Sequence, residues 1–406
     1  MLVCFSHQIC TRVNVKILAK TAPLATEHNY LHAVRCWTLQ GIGLPLLHSL
    51  KLQIRILVPD KIQPTPAPAT DDPNAVSRKR DHIELAFQAQ IESISLDSRF
   101  DYEPLLSAHP APGQLEPMRF LGKQLRAPIW VSSMTGGTQW AGTINHNLAR
   151  ACRDFGMGMG LGSCRSLLRS DDHLADFDVR STIGHELPLF ANLGVAQVDE
   201  LLHTGQIDLV RRLIDRLQAD GLILHVNPLQ EAMQPEGDRF RRPALHTIEA
   251  LLEAVEFPVI VKEVGQGMGP QSLEALFRLP LAAIDFGASG GTNFAMLELL
   301  RADAAKREAF APLAFVGHSA ADMVATANRI VASRGEQLAC RQVIISGGIR
   351  HFLDGYFLTE KLALPAVYGQ ASAFLRHARG DYGELATFVE NQVAGLALAK
   401  AYLRVR

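Results

Sequence analysis

The sequence predicts an α/β protein folded as a (β/α)8 (TIM) barrel. Two observations carry this. Eight short apolar runs of strand length alternate with amphipathic helical runs over roughly 250 residues, the size of such a barrel. Each run also ends in glycine and polar residues, and barrels build their active sites at the C-terminal ends of their strands. A doubly wound open sheet is the competing arrangement. Against it, Gly156, Gly158, Gly160 and Gly162 recur every second residue, unlike the G-x-G-x-x-G dinucleotide fingerprint.

The bulk properties bound the rest. The chain has 406 residues, 48% hydrophobic and 20% charged, which is ordinary for a globular enzyme. A net charge of -1 points to neither nucleic acid nor a membrane surface. No apolar run reaches the roughly 18 residues of a transmembrane helix. Six scattered cysteines suit a reducing cytoplasm better than a disulfide framework, so a cytoplasmic location is expected.

Residues 1–73 read as a non-catalytic, poorly ordered extension. Within residues 1–59, Arg12, Lys16, Lys20, Arg35, Lys51 and Arg55 face one acid, Glu27, a balance loosely like that of a transit peptide. A Pro-rich linker follows, from Pro64 to Pro73. Residues 74–406 read as the barrel domain. It opens on a helix capped by Ser77 and running to about Ser93. Its cations Arg78, Lys79 and Arg80 form either a solvated face or an anion clamp. The strand-like runs cover residues 127–133, 156–162, 187–192, 221–225, 258–262, 282–286, 342–346 and 365–369. Between them, Ile207, Val210, Leu213, Ile214 and Leu217 share one helix face, and Leu245, Ile248, Leu251, Leu252 and Val255 another.

The strand ends carry the chemistry. In order they are Ser133-Met134-Thr135-Gly136-Gly137, Gly162-Ser163-Cys164-Arg165, Asn192-Leu-Gly194, the stretch from His225 to Asp238, Lys262-Glu263, Gly287 to Thr292, Ser346 to Arg350, and Gly369-Gln370-Ala371. One glycine-rich turn means little, but eight in matching positions indicate a site. Barrels commonly bind phosphate after the seventh and eighth strands, so Gly347, Gly348, Arg350, Gln370 and Ala371 read as a phosphate cradle. Lys262 ends a buried strand and needs a partner: a bound anion, an electron-rich ring, or a salt bridge to Glu263 or Asp285. The stretch from His225 to Asp238 reads as a loop, either solvated with His225 a satisfied core histidine, or functional. In it Gln230 and Glu231 offer adjacent oxygens suited to Mg²⁺. His225 and Asn227, two apart, point to one side if both are extended.

Together these motifs resemble type 2 isopentenyl diphosphate isomerase. The resemblance runs over about residues 77–380 and is most specific in Asn227-Pro-Leu-Gln230-Glu231…Gln234-Pro-Glu236-Gly-Asp238. It implies an FMN-binding barrel that interconverts isopentenyl and dimethylallyl diphosphate with reduced FMN and Mg²⁺, with NADPH as reductant. It also implies a homo-oligomer, a tetramer or octamer. FMN would contact Ser133, Met134, Thr135, Ser163, Asn192, Lys262, Thr292 and the cradle. The substrate diphosphate would meet Arg78, Lys79, Ser163, Arg165 and Gln230. His225, Asn227 and Gln230 are the implied catalytic set, and Glu231 would hold Mg²⁺.

The chain departs from the family pattern at three places. Cys164 replaces the usual Gln, Gly287 replaces a Ser or Ala that offers a flavin contact, and His351-Phe-Leu-Asp354 replaces Asn-Gly-Leu-Asp. Two other functions compete. An FMN-dependent 2-hydroxy-acid oxidase would need a base histidine, for which His318 and His351 are candidates. A non-catalytic flavin-binding regulator would have no need of Gln230 and Glu231.

Overall fold

The computed structural model describes residues 75–132 and 139–406. The chain divides into two units, Met1–Gln90 and Ile91–Arg406. Residues 1–73 and Ser133 to Gly137, for which the sequence raises expectations, lie outside the described residues.

In the first unit the described element is the helix Ala75–Leu85. It starts earlier than the sequence suggests and stops well short of Ser93, and Ser77 lies inside it rather than capping it. The reason is visible in its side chains. Ile83 and the following Phe87 are both exposed, so no buried stripe reinforces the helix beyond local propensity.

The second unit opens with β1 (Phe100–Tyr102), then a hairpin of β2 (Met118–Phe120) and β3 (Lys123–Leu125). The hairpin turns through Leu121 and Gly122, both at positive φ, the backbone that tight hairpins favour. Its sequence signal is weak, because Leu rather than Asn or Asp takes the first turn position.

Eight parallel strands follow: β4 (Ile129–Val131), β5 (Gly158–Gly160), β6 (Leu189–Gly194), β7 (Gly221–Val226), β8 (Val259–Glu263), β9 (Ala283–Asp285), β10 (Val343–Ser346) and β11 (Ala366–Gln370). They pair in chain order, and β11 returns to β4 to close the barrel. Each of the eight apolar runs is therefore a strand. The last strand, β12 (Leu403–Val405), pairs antiparallel with β1 and ties the end of the second unit to its first strand.

The glycine run before Ser163 has a packing reason. Trp130 is fully buried, and a Cβ on Gly158 would lie 2.4 Å from its ring. A side chain there would push the indole out. The surrounding helices bury the faces that their spacing predicts. Val210, Leu213, Ile214 and Leu217 are buried on Asp208–Leu217, and Ile248 and Leu251 on Ala244–Ala254. Among the described residues, no helix is long and apolar enough to cross a membrane.

Candidate active site

Strand register builds the barrel mouth. His225 on β7 lies beside Lys262 on β8, and Lys262 beside Asp285 on β9. Laterally paired residues project to the same face, so these three side chains form one row across neighbouring strands. His225 Nδ1 donates to Asn192 Oδ1 on β6 at 2.7 Å. Burial first, and the charge of Lys262 second, push the imidazole down to about 4, so the ring is neutral at pH 7.

Lys262 is 8% exposed. The sequence offered it a salt bridge to Glu263 or Asp285. The structure instead gives its ammonium the backbone carbonyl of Glu263, at 2.6 Å. The Glu263 carboxylate is engaged elsewhere. One of its oxygens accepts the N–H groups of Gly265, Gln266 and Gly267 at 2.7, 2.7 and 2.8 Å, which fixes the loop after β8.

Two adjoining hollows share this floor. A cleft of about 400 Å³ is lined by Lys262, Thr292, Gly347, Gly348, Arg350, Gln370 and Ala371. A smaller one of about 140 Å³ is lined by Ser163, Asn192, His225, Gln230 and Lys262. Lys262, Val264 and Phe294 border both. The cleft has the size of a small-molecule site. It also carries unsatisfied polar atoms. Gln370 Oε1 and Ser132 Oγ line it, are buried, and have no hydrogen-bond partner. Buried polar atoms are almost always paired, so these two suit a polar ligand, and the cleft fits the flavin that the resemblance implies. Asp354 orders the cradle despite its changed neighbours: its carboxylate accepts the Arg350 N–H at 2.9 Å and an Arg99 guanidinium N–H at 2.8 Å.

The stretch after β7 corrects the sequence reading in two ways. It is not a loop, because Pro228–Met233 is a helix with proline in its first turn. And Asn227 does not share a side with His225. β7 ends at Val226, so strand alternation stops before Asn227, which instead precedes the helix and borders a third hollow that shares Gln230, Val264 and Phe294 with the smaller one. Asn227 locks the metal candidate. Its amide donates to Glu231 Oε1 at 2.9 Å and to Gln230 Oε1 at 3.1 Å. Glu231 Oε2 accepts the Asp238 N–H at 2.7 Å. Glu231 is therefore a buried, oriented carboxylate, 9% exposed, and the solvated-loop alternative fails. Asn227 Oδ1 is buried without a partner. With Gln230 Oε1 close by, the oxygens fit a hard cation that takes one carboxylate and completes its shell with water and phosphate. Among the described residues no group of three or more His, Cys, Asp and Glu gathers for a metal.

Arg165, His318, His351 and Cys164 line neither of these two hollows. Arg165 is held by Asp238 at 3.0 Å on the rim of a different groove, with Gln197 donating to the same Asp238 oxygen at 2.6 Å. Arg78 and Lys79 belong to the first unit, exposed on its helix. His318 borders the hollow beside Asn227, and His351 stands half-exposed beside Asp354; neither borders the cleft with Lys262. Cys164 is fully buried and donates to the Gly162 carbonyl at 3.3 Å, and burial pushes its thiol up to about 12. It faces the interior. Several cleft residues escape the sequence reading, Ser132, Phe294 and Arg376 among them. Ser132 lies inside the first strand-like run, and Arg376 follows the last strand on a short helix, its signal a cation just beyond the cradle.

The structure also explains Gly287. Its φ is +53°, and a Cβ would lie 1.9 Å from the Glu263 carbonyl oxygen. The glycine therefore permits close approach of β8 and β9. Gly287→Ser is expected to destabilise the fold by about 2–4 kcal/mol through strain and backbone displacement, read by denaturant unfolding. A variant as stable as the parent would overturn this account.

Comparison with known proteins gives the family. No protein-family profile matches the chain. A Rickettsia felis protein named isopentenyl-diphosphate delta-isomerase is 36% identical over 310 residues, 75% of this chain and 85% of the relative. A Deinococcus radiodurans protein of the same name is 38% identical over 283 residues, 68% and 80% of the two chains. Among solved structures, a double mutant of flavocytochrome b2 with pyruvate bound aligns at TM-score 0.51 and 13% identity, over 75% of this chain and 72% of that one; this likeness bears on the fold alone. At such identity and coverage by its sequence relatives, the chain belongs to the isopentenyl-diphosphate delta-isomerase family, as an enzyme of the type 2, barrel-fold kind.

Proposed function

We propose that the protein interconverts isopentenyl and dimethylallyl diphosphate by a 1,3 proton shift, with reduced FMN and Mg²⁺ bound and NADPH as the reductant. The observation that carries the reading is the shared floor of the two hollows. A planar cofactor in the larger and a small substrate in the smaller would meet across Lys262, Val264 and Phe294.

The chemistry has no net redox change. An alkene is poorly basic and its allylic C–H poorly acidic. Protonation gives a tertiary cation, which needs a dry site and an electron-rich neighbour. Bound reduced FMN supplies that neighbour and the acid–base chemistry. The remaining tasks fall to the chain. Gly347, Gly348, Arg350, Gln370 and Ala371 hold the cofactor phosphate. Ser133, Met134, Thr135, Ser163, Asn192, Lys262 and Thr292 contact the rest of it. Arg78, Lys79, Ser163, Arg165 and Gln230 take the substrate diphosphate, Arg165 by leaving Asp238. Glu231 holds the metal, and Asn227 fixes its carboxylate. His225 lines the smaller hollow together with Gln230, and an incoming diphosphate would favour its protonated form by opposing the burial that now keeps it neutral. Anchored at the charged end, the apolar tail is oriented rather than free, which lowers the entropic part of the barrel reaction's barrier.

The purified protein is expected to be yellow and to isomerise isopentenyl diphosphate only with its flavin reduced and Mg²⁺ present. The check is a visible spectrum, then anaerobic turnover with and without chelator. Full activity with oxidised flavin, or in excess chelator, would sink the proposal.

A further inference from the structure

Asp285 has no part in the function proposed above, yet its surroundings are unusual. It is fully buried on β9. One carboxylate oxygen accepts the Ser346 hydroxyl, which in turn accepts the Gly287 N–H at 3.0 Å. The other oxygen, Oδ2, is buried with no hydrogen-bond partner. A buried carboxylate in this state needs an opposite charge to remain ionised. Register supplies one: Lys262 is its lateral neighbour. The Lys262 ammonium, with three donors, makes one hydrogen bond to the Glu263 carbonyl. Burial pushes the Asp285 carboxyl up, and the charge of Lys262 acts against that shift. The other neighbour of Lys262 in the row is His225, a neutral ring that offers no counter-charge.

We propose that Asp285 is a positioning residue, the buried counter-ion that offsets the Lys262 charge through space, without a direct hydrogen bond, at the floor of the cleft where the cofactor ring binds. The effect on the cofactor rests on the flavin reading above; the pairing of the two charges does not. Two consequences follow from the chemistry. Removing Lys262 alone strands a buried anion, so removing Asp285 as well should relieve the damage. And neutralising Asp285 alone leaves the ammonium unopposed, which favours the electron-rich, reduced flavin over the oxidised one.

The experiment uses the full-length protein as wild type, Asp285→Asn, Lys262→Met and the double variant. Thermal unfolding and the flavin midpoint potential are the readouts. Lys262→Met is expected to lower the unfolding temperature, and the double variant to recover most of that loss. Asp285→Asn is expected to shift the ratio of reduced to oxidised flavin affinity about tenfold toward the reduced form, which is about 30 mV for a two-electron couple. That shift should vanish in the Lys262→Met background. Additive losses of stability, or an unchanged potential in Asp285→Asn, would overturn the proposal. Should Asp285→Asn not fold alone, recovery in the Lys262→Met background decides. Wild-type protein that takes up no FMN would defeat the flavin reading and the potential shift that rests on it, a failure that precedes any variant; the stability cycle of Lys262→Met and the double variant would still decide the pairing of the two charges.

Discussion

Glu231→Gln is expected to lower kcat/KM by about 100-fold or more and to move the Mg²⁺ midpoint of activity to higher concentration. The size follows if the metal clamp contributes about 3 kcal/mol to the transition state. The metal would neutralise diphosphate charge and fix its orientation, and a neutral amide is a poor ligand for it. The structure adds a second expected effect. Both carboxylate oxygens are occupied, Oε1 by the Asn227 amide and Oε2 by the Asp238 N–H. A glutamine that keeps its carbonyl toward Asn227 turns its own NH₂ toward the Asp238 N–H, donor against donor. Leaving that buried pair unsatisfied costs about 1–3 kcal/mol, a fall of a few degrees in unfolding temperature for a barrel of this size. The fold and the flavin should nevertheless survive. The measurement is a Mg²⁺ titration of turnover for both proteins, with flavin content read by absorbance. Wild-type turnover with an unchanged Mg²⁺ midpoint would rule out the metal role. A stability loss without a midpoint shift would reduce Glu231 to a clasp between Asn227 and Asp238.

Gly347→Ala should weaken FMN binding by about 100-fold or more. Gly347 follows β10 at φ +88°, and a Cβ there would lie 2.0 Å from the Ala288 carbonyl oxygen and 2.4 Å from the Ala288 nitrogen. That backbone cannot yield cheaply, since the Ala288 N–H already donates to the Ser346 carbonyl at 2.9 Å. The left-handed backbone costs alanine about 1 kcal/mol, and the overlap moves the cradle as well. A hundredfold in affinity corresponds to about 2.8 kcal/mol. Gly348→Ala is the comparison. Its φ of +75° is similar, but its nearest neighbour, the Ser289 carbonyl oxygen, is 3.1 Å away, so the loss should be smaller. Flavin fluorescence titration of the apoproteins measures both. Equal losses would mean that backbone strain alone governs the cradle; no loss at Gly347 would remove the cradle from the flavin site.

Much of this protein is legible in its sequence because the signals are local and repeated. Eight apolar runs with polar ends specify eight strands, since a strand buried on both faces must be apolar along its length, and only its C-terminal end opens to solvent. The cradle glycines, Lys262 and the Gln230-Glu231 pair could be picked out for the same reason: each stands at the end of such a run. The helix Ala75–Leu85 ends earlier than its sequence suggests, because its described side chains are exposed and no buried stripe marks its extent.

What the sequence by itself determined is the order of the strands, the residues at their ends and the family. What only the tertiary structure decided is which of those residues meet. Asn227 follows His225 by two positions, yet the end of β7 at Val226 turns it to Glu231. Arg165 stands at a strand end, yet Asp238, far along the chain, holds it away from the smaller hollow. Lys262 could be matched in sequence to Glu263 or Asp285 alike; register places Asp285 beside it across the strand pair, while the Glu263 carboxylate turns to the loop after β8. Arg165 and Asp285 find their partners across separations that no local pattern records, because folding, and for Asp285 the register of neighbouring strands, brings distant segments together. Asn227 meets a residue four places on, and there the point at which the strand stops decides which way it turns.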